Sequence, residues 1–202
     1  GLGLKYEADN GFASSITINS KGAQGTKGFL TDQDTTKLNI MAAYTVDNYH
    51  LSATYTKQTG KFNAFHYFST DNIDGSKEHT GYALRAWFRP DETGTAVPSV
   101  SLGFDTMDLD QASSGYDNAS GYSIAFNWND IFQADDTIGA AFGAPISGSD
   151  PKAGKAEDVD PFLWEAYYSF RPNDSIEITP GIFGGSDVRS DTNDDIFGAV
   201  LH

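Results

Sequence analysis

The chain has 202 residues, with 28 Asp and Glu against 13 Lys and Arg, a net charge of −15 and no Cys. A charge of this sign argues against a nucleic-acid partner, because phosphate binding needs clustered Lys and Arg. The absence of Cys excludes disulfide scaffolds, Cys-ligated zinc and thiol catalysis.

Apolar and polar side chains alternate along most of the chain, which is the pattern of β-strands. In one segment Leu38, Ile40 and Ala42 share a face, while the residues between them share the other. The pattern predicts eleven strands, at 1–9, 12–20, 37–46, 49–56, 81–88, 100–105, 122–128, 137–143, 162–170, 176–182 and 195–202. A short strand at 62–68 has a mixed pattern, and 129–134 is the one candidate helix.

The connections between these strands alternate between short and long. The short ones carry hairpin turn residues such as Asn10-Gly11, and the long ones are 20–35, 57–80, 107–120, 144–160 and 185–194. In an up-and-down meander this alternation places all short turns at one end of the sheet. Outer-membrane barrels have that organisation, whereas β-sandwiches have Greek-key crossings. We therefore predict an all-β fold, a transmembrane up-and-down antiparallel β-barrel.

Aromatic residues on the apolar face fall at the strand ends, as in the two girdles of a membrane barrel. A general preference of aromatic residues for strands is the alternative explanation. The predicted girdle residues are Tyr49, Phe88, Trp128 and Phe170 beside short turns, and Tyr55, Tyr82, Tyr122 and Phe162 beside long connections.

The opposite face is mostly Ser, Thr, Gly, Ala and Asn, as expected of a wall that lines water. Isolated charges on or beside this face are the pore-lining candidates: Lys5, Lys37, Arg85, Arg89, Asp105, Glu165 and Glu177. Opposing charges of this kind would set a field across a pore; simple solvation or pairing of each side chain is the alternative. The aromatic segment 57–80 is expected to fold inward as a constriction, or else to cover the outer rim.

The segment FLWEAYYSFRPNDSIEITPGI at 162–182 resembles the C-terminal region of the carbohydrate-selective (OprB-like) porin family, particularly its cyanobacterial members. The resemblance is specific over 160–202 and diffuse before it. Family members have about sixteen strands, of which about eleven or twelve would lie here. The resemblance thus implies that 1–202 is the C-terminal portion of a single porin barrel domain, without its N-terminal strands and any S-layer-homology domain. Members usually end on an aromatic residue, whereas this chain stops at His202.

No motif for catalysis is present: there is neither Gly-x-Ser-x-Gly nor His-Glu-x-x-His, and the four His residues are scattered. We expect no enzyme, no catalytic residue and no cofactor. Ca²⁺ bound by oxygen ligands in acidic outer loops is an alternative to plain solubilising charge. The residues concerned are Asp108, Asp110, Asp187, Asp191, Asp194 and Asp195.

The expected function is passive diffusion of small hydrophilic solutes or inorganic ions through the cell outer membrane; the family's name adds carbohydrates. The expected surroundings are outer-membrane lipid and lipopolysaccharide. A homotrimer is one assembly considered, and a missing N-terminal domain would contact peptidoglycan or another cell-wall polymer. Two alternatives remain at this stage: a surface or secreted β-sandwich that binds carbohydrate, and an extracellular glycosidase domain.

Overall fold

Twelve β-strands make up the regular structure of the chain in a computed structural model, which describes residues 1–20, 36–58, 79–108, 116–151, 160–187 and 195–202. They are β1 (Leu2–Glu7), β2 (Phe12–Ser20), β3 (Thr36–Val46), β4 (Tyr49–Gln58), β5 (His79–Phe88), β6 (Ser99–Asp108), β7 (Tyr116–Asn129), β8 (Thr137–Pro151), β9 (Phe162–Asn173), β10 (Ile176–Ile178), β11 (Pro180–Ser186) and β12 (Ile196–Leu201). These ranges contain no helix, and so none long and apolar enough to cross a membrane. The all-β prediction is confirmed.

All twelve strands belong to one antiparallel sheet, in which successive strands along the chain are neighbours. The order is β1-β2-β3-β4-β5-β6-β7-β8-β9-β11-β12, with β10 paired to β9 beside this path. The predicted antiparallel meander is therefore confirmed. In the described ranges β1 pairs only with β2, and β12 only with β11.

The pairing register places all predicted apolar stripes on one face. One row of directly opposed residues runs Leu4, Ile16, Ile40, Tyr55, Tyr82 across five strands. Because side chains alternate faces with a period of two, this row fixes the face of every other residue in those strands.

On the other face the equivalent rows are polar. The Asn39 side-chain amide donates to the Thr17 hydroxyl oxygen at 3.1 Å, and the Thr56 hydroxyl donates to the Asn39 side-chain oxygen at 2.9 Å. We refer to these two surfaces as the apolar face and the polar face.

The apolar face is exposed. Leu2, Leu51 and Leu84 keep 67%, 60% and 50% of their surface in solvent, although central leucines of a soluble sheet are normally buried. The few buried hydrophobic residues in the described ranges include Ala43, Met107 and Ala119, and pairing places these three on the polar face. The burial pattern is the reverse of that in a sheet with a hydrophobic core.

The candidate helix at 129–134 is wrong, because this segment forms a bend and turn between β7 and β8. Asp130 and Asp135 adopt positive φ values of 60° and 64°, which a right-handed helix does not allow. The Asp136 carboxylate holds the turn by accepting hydrogen bonds from the backbone N–H groups of Ile131 (2.8 Å), Phe132 (3.0 Å) and Gln133 (3.1 Å).

Two connections predicted to be long are partly strand. β7 begins at Tyr116 and β8 continues to Pro151, and the two pair beyond an irregularity at 120–122. The Gly- and Ser-rich composition of these residues hides the alternation that marks the other strands. The contrast between short and long connections is therefore weaker than predicted in this half of the chain.

The predicted strand 176–182 is divided into β10 and β11. The register shifts within β10, and Pro180 has no N–H to continue the ladder. Between them, the backbone of Thr179 exchanges hydrogen bonds with His202 at 2.9 and 3.2 Å. The mixed strand at 62–68 and most of the segment 57–80 lie outside the described residues.

The Asp136 turn gives a prediction for stability against pH. Burial raises the pKa of Asp136, but the N–H groups of Phe132, Ile131 and Gln133 and the Tyr168 hydroxyl outweigh it, so the pKa lies below its ordinary value of 3.8. A carboxyl group whose pKa is lower in the folded state than in the unfolded state stabilises the fold at pH values above the unfolded pKa. This stabilisation is lost as the pH falls through the folded pKa. We expect Asp136→Asn to lower the thermal unfolding midpoint at about pH 7 and to have a smaller effect at about pH 3.

Circular dichroism of the purified protein measures both midpoints. Tyr168→Phe is the control, since it removes one donor to Asp136 (3.0 Å) and keeps the three backbone bonds. Its effect should be smaller than that of Asp136→Asn. The same midpoint difference at both pH values would contradict this account of the turn.

Candidate functional site

A groove on the polar face is lined by residues of β5, β6, β7, β8, β9, β11 and β12. Its volume is about 730 Å³. A cavity that touches the same face of so many strands requires that face to be concave. The groove therefore lies where the sequence predicted the water-lining wall.

Arg85 and Asp105 form an ion pair at one side of the groove. One terminal nitrogen of Arg85 donates to both Asp105 carboxylate oxygens at 2.8 Å. The other donates to the backbone carbonyls of Leu84 (2.8 Å) and Phe104 (3.0 Å). The guanidinium thus lies along the wall, and a carboxylate balances its charge. The two residues were predicted as separate pore-lining charges, and the structure brings them together.

The other predicted charges have local partners or lie apart. Lys5 pairs with Glu7 at 2.7 Å. Glu177, on β10, accepts from Arg171 of β9 at 2.9 Å and does not line the groove. The guanidinium carbon of Arg89 lies 4.5 Å from the centre of the Trp87 ring. Lys37 lies between Asn19 and Gln58 in the sheet register.

Glu165 lies on the polar face of β9, directly opposite Ala141 of β8 and Phe183 of β11. The described residues provide no hydrogen bond or ion pair to its carboxylate, which is exposed. The next row of this face includes Leu163 and Ile196, which are separated by Gly185. The Glu165 carboxylate thus has apolar side chains as its neighbours in the groove.

Glycines make room for aromatic rings on this face. The Tyr167 ring lies over Gly139 and the Phe183 ring over Gly198, at the places where a Cβ would stand. The Tyr167 hydroxyl donates to the Asn127 side-chain oxygen at 2.9 Å, which fixes the ring in this position. Phe183 lines the groove, and Tyr167 and Phe183 both line an adjoining cavity of about 480 Å³.

The predicted girdle residues share the apolar face. At the end with short turns, Tyr49 and Phe88 have ring centres 5.1 Å apart. At the other end the rings of Tyr55 and Tyr82 are 5.5 Å apart. Trp128, beside the β7–β8 turn, donates its ring N–H to the Ala96 carbonyl at 3.0 Å. The remaining girdle residues are also on the apolar face, and Phe162 begins β9 while Phe170 lies three residues before its end. Tyr122 was predicted at a strand end, but it lies in the middle of β7, because β7 extends back to Tyr116.

The proposed calcium ligands are only partly described. Asp108, Asp187 and Asp195 lie in described ranges, whereas Asp110, Asp191 and Asp194 do not. Among the described residues no group of three or more His, Asp or Glu has the arrangement of a metal site.

Comparison with protein-family models, with curated proteins and with solved structures found no match to this chain. The resemblance to OprB-like porins at 162–182 therefore remains an expectation from sequence.

Sequence reasoning overlooked Leu163, Phe183 and Ile196 as groove residues. Alternation already placed Leu163 on the face of Glu165, and Phe183 follows the apolar-face residue Ile182, so the signal was present. What the sequence does not contain is the register that sets Phe183 opposite Glu165.

Packing of Tyr167 over Gly139 gives a second prediction. We expect Gly139→Ala to cost about 1–3 kcal/mol, because its Cβ would meet the Tyr167 ring and displace it from Asn127. Gly81→Ala is the matched control on the same face, since its Cβ would find contacts no closer than 3.5 Å.

Chemical unfolding of the single variants and of Gly139→Ala combined with Tyr167→Ala measures the coupling between the two positions. The combined variant should be less destabilised than the sum of its two changes. Additive effects, or equal losses at Gly81 and Gly139, would contradict the contact.

Proposed function

We propose that this chain is part of an outer-membrane porin, a passive diffusion channel for small hydrophilic solutes or inorganic ions. The observation that carries the proposal is the exposed apolar face, which continues through every strand from β1 to β12. Monomeric soluble proteins rarely expose a contiguous apolar patch larger than a few hundred Å². Contact with lipid would remove the free-energy cost of exposing this apolar face to water.

Within the described part of the chain, the principal contacts between strands join hydrogen-bonded neighbours. Nothing described there packs on the apolar face as a second layer. The strands from β2 to β9 have 9 to 15 residues each. A membrane strand needs about 9–11 residues for its tilted crossing, so these strands are long enough. The aromatic rings near both strand ends support the same assignment, because amphipathic rings favour the membrane–water interfaces.

The concave polar face supports an aqueous path. Small and hydroxyl side chains form much of it, and the groove between Arg85 and Phe183 is open to solvent. A membrane cannot hydrogen-bond the free edge of a sheet, so a spanning sheet has to close. We therefore propose that β1 and β12 belong to a closed barrel in the functional protein, located in the outer membrane among lipid and lipopolysaccharide.

A carbohydrate-binding β-sandwich is the alternative function. A sandwich requires two sheets whose inner faces pack together, whereas all described strands belong to one sheet. This difference favours the channel. Carbohydrates then remain candidates as permeants.

Planar lipid bilayers test the proposal directly. Full-length protein, which includes the strands that close the barrel, should produce discrete steps of ohmic conductance when it is refolded in detergent and added to a bilayer in KCl. It should aggregate when the detergent is removed without lipid. A monodisperse protein in plain buffer, with no conductance, would exclude the channel.

The two faces give a third prediction. Arg in place of Ala53 or Leu84, which oppose each other on the apolar face, should cost roughly 2–4 kcal/mol in lipid at mid-membrane depth. Arg in place of Ser52 or Ala83, one residue earlier on the same strands, should cost less because it points into water. Urea unfolding in lipid vesicles compares the four variants, and equal losses on both faces would show that the apolar face does not meet lipid.

The Arg85–Asp105 pair gives a fourth prediction. Asp105→Asn leaves the Arg85 charge unbalanced and should shift the reversal potential towards anions, whereas Arg85→Gln should shift it towards cations. The double variant should lie near the wild type. Charges in the wall act over a Debye length of about 8 Å at physiological salt, so a narrow pore should respond.

Reversal potentials in a KCl gradient measure these shifts. Glu92→Gln is the control, because Glu92 is an exposed carboxylate in the β5–β6 connection, away from the groove. An open channel whose reversal potential ignores both Asp105→Asn and Arg85→Gln would place the pair outside the conducting path.

A further inference from the structure

Glu165 differs from the other predicted pore-lining acids in its charge balance. Asp105 is neutralised by Arg85 and Glu177 by Arg171. Glu165 has no such cation among the described residues, and its carboxylate is exposed to the groove. Counting described residues alone, the groove therefore contains one balanced pair, Arg85 with Asp105, and one unpaired carboxylate, that of Glu165.

The immediate surroundings of Glu165 are apolar. In the sheet register Phe183 is its direct neighbour across β11, and such pairs have Cβ atoms about 4.5–5.5 Å apart. Leu163 and Tyr167 flank Glu165 on its own strand, and Ile196 completes the same face. A second cavity of about 480 Å³ also reaches Glu165 and Phe183, so two hollows meet at this carboxylate.

We infer that the hollow around Glu165 binds organic cations, namely primary ammonium groups attached to an aromatic or aliphatic body. The inference rests on the proposed channel function and names a solute class for its groove. The ammonium would pair with the carboxylate of Glu165 and lie near the face of the Phe183 ring, which attracts cations. The apolar body would cover Leu163 and Ile196 and remove their surface from water.

The chemistry of the groove disfavours other small solutes at this position. Among the described groove residues an anion finds no free guanidinium, because Arg85 is occupied by Asp105 and two carbonyls. A sugar needs several hydrogen-bond partners, whereas Leu163, Phe183 and Ile196 offer none from their side chains. A hydrated inorganic cation would gain binding free energy from the charge of Glu165, but it would gain none from contact with the apolar side chains.

Block of K⁺ current measures the binding. Phenethylammonium should reduce the conductance of the wild-type channel in a concentration-dependent way. Glu165→Gln should raise the half-blocking concentration roughly tenfold, as expected for loss of a hydrogen bond to a charged group. Phe183→Leu should raise it roughly two- to fivefold, and Glu92→Gln should leave it unchanged.

Probe chemistry separates the two parts of the site. Methylammonium has the charge without the apolar body and phenethyl alcohol has the body without the charge, so both should block more weakly. Equal block by phenethylammonium and methylammonium, or a half-blocking concentration that ignores Glu165→Gln in an open channel, would overturn the inference and leave the channel intact.

Calorimetric titration of the detergent-solubilised protein with phenethylammonium gives an answer that does not depend on conduction. Saturable binding that Glu165→Gln weakens, in a protein without channel activity, would support the site and exclude the porin. Titration without saturable binding would overturn the site, whatever the conductance.

Discussion

One pairing register, continued from strand to strand, determines which residues lie on each face of the sheet. Because side chains alternate faces along a strand, a slip of one residue would exchange the two faces of that strand. Such a slip in β4 would move Leu51 and Ala53 to the polar face and Ser52 to the apolar one. Antiparallel pairing between chain neighbours, from Leu4 opposite Ile16 to Phe183 opposite Gly198, keeps all strands in phase. Because the strands are in phase, the apolar residues of the single strands join into one apolar surface, and their polar residues join into one concave polar surface.

The fold was largely predictable from sequence because it depends on local signals. Alternation located all the strands of the meander, and turn residues such as Asn10-Gly11 located hairpins; Gly11 has the positive φ of 86° that this turn requires. The misses have local causes too. Residues 144–151 lack alternation because Gly, Ser and Pro replace the apolar members. The turn at 130–136 was mistaken for a helix because its organiser, Asp136, acts from outside the predicted segment.

The groove was less predictable because it depends on which residues of different strands face each other. Arg85 and Asp105 were both assigned to the polar face, yet their pairing requires the offset that puts Gly103 opposite Arg85 and Ala83 opposite Asp105. A residue without a side chain beside Arg85 lets the guanidinium lie along the wall and reach the diagonal carboxylate. The register between β9 and β11 likewise places Phe183 opposite Glu165. Sequence identifies the face of a residue, while its neighbours across strands follow from register.

Glycine has a comparable role on the polar face. Side chains of full size at every position would fill a concave surface, since neighbouring strands lie only about 4.8 Å apart. In the row that begins at Arg85, the partners Gly103, Gly143 and Gly185 alternate with larger side chains. In other rows of the same face, Gly139 and Gly198 leave room for the rings of Tyr167 and Phe183. The wall thus obtains aromatic surface without losing open volume, and Glu165 retains access to solvent beside an apolar floor. Glycine therefore has two consequences in this half of the chain: it weakens the alternation that marks strands, and it leaves open the groove of about 730 Å³.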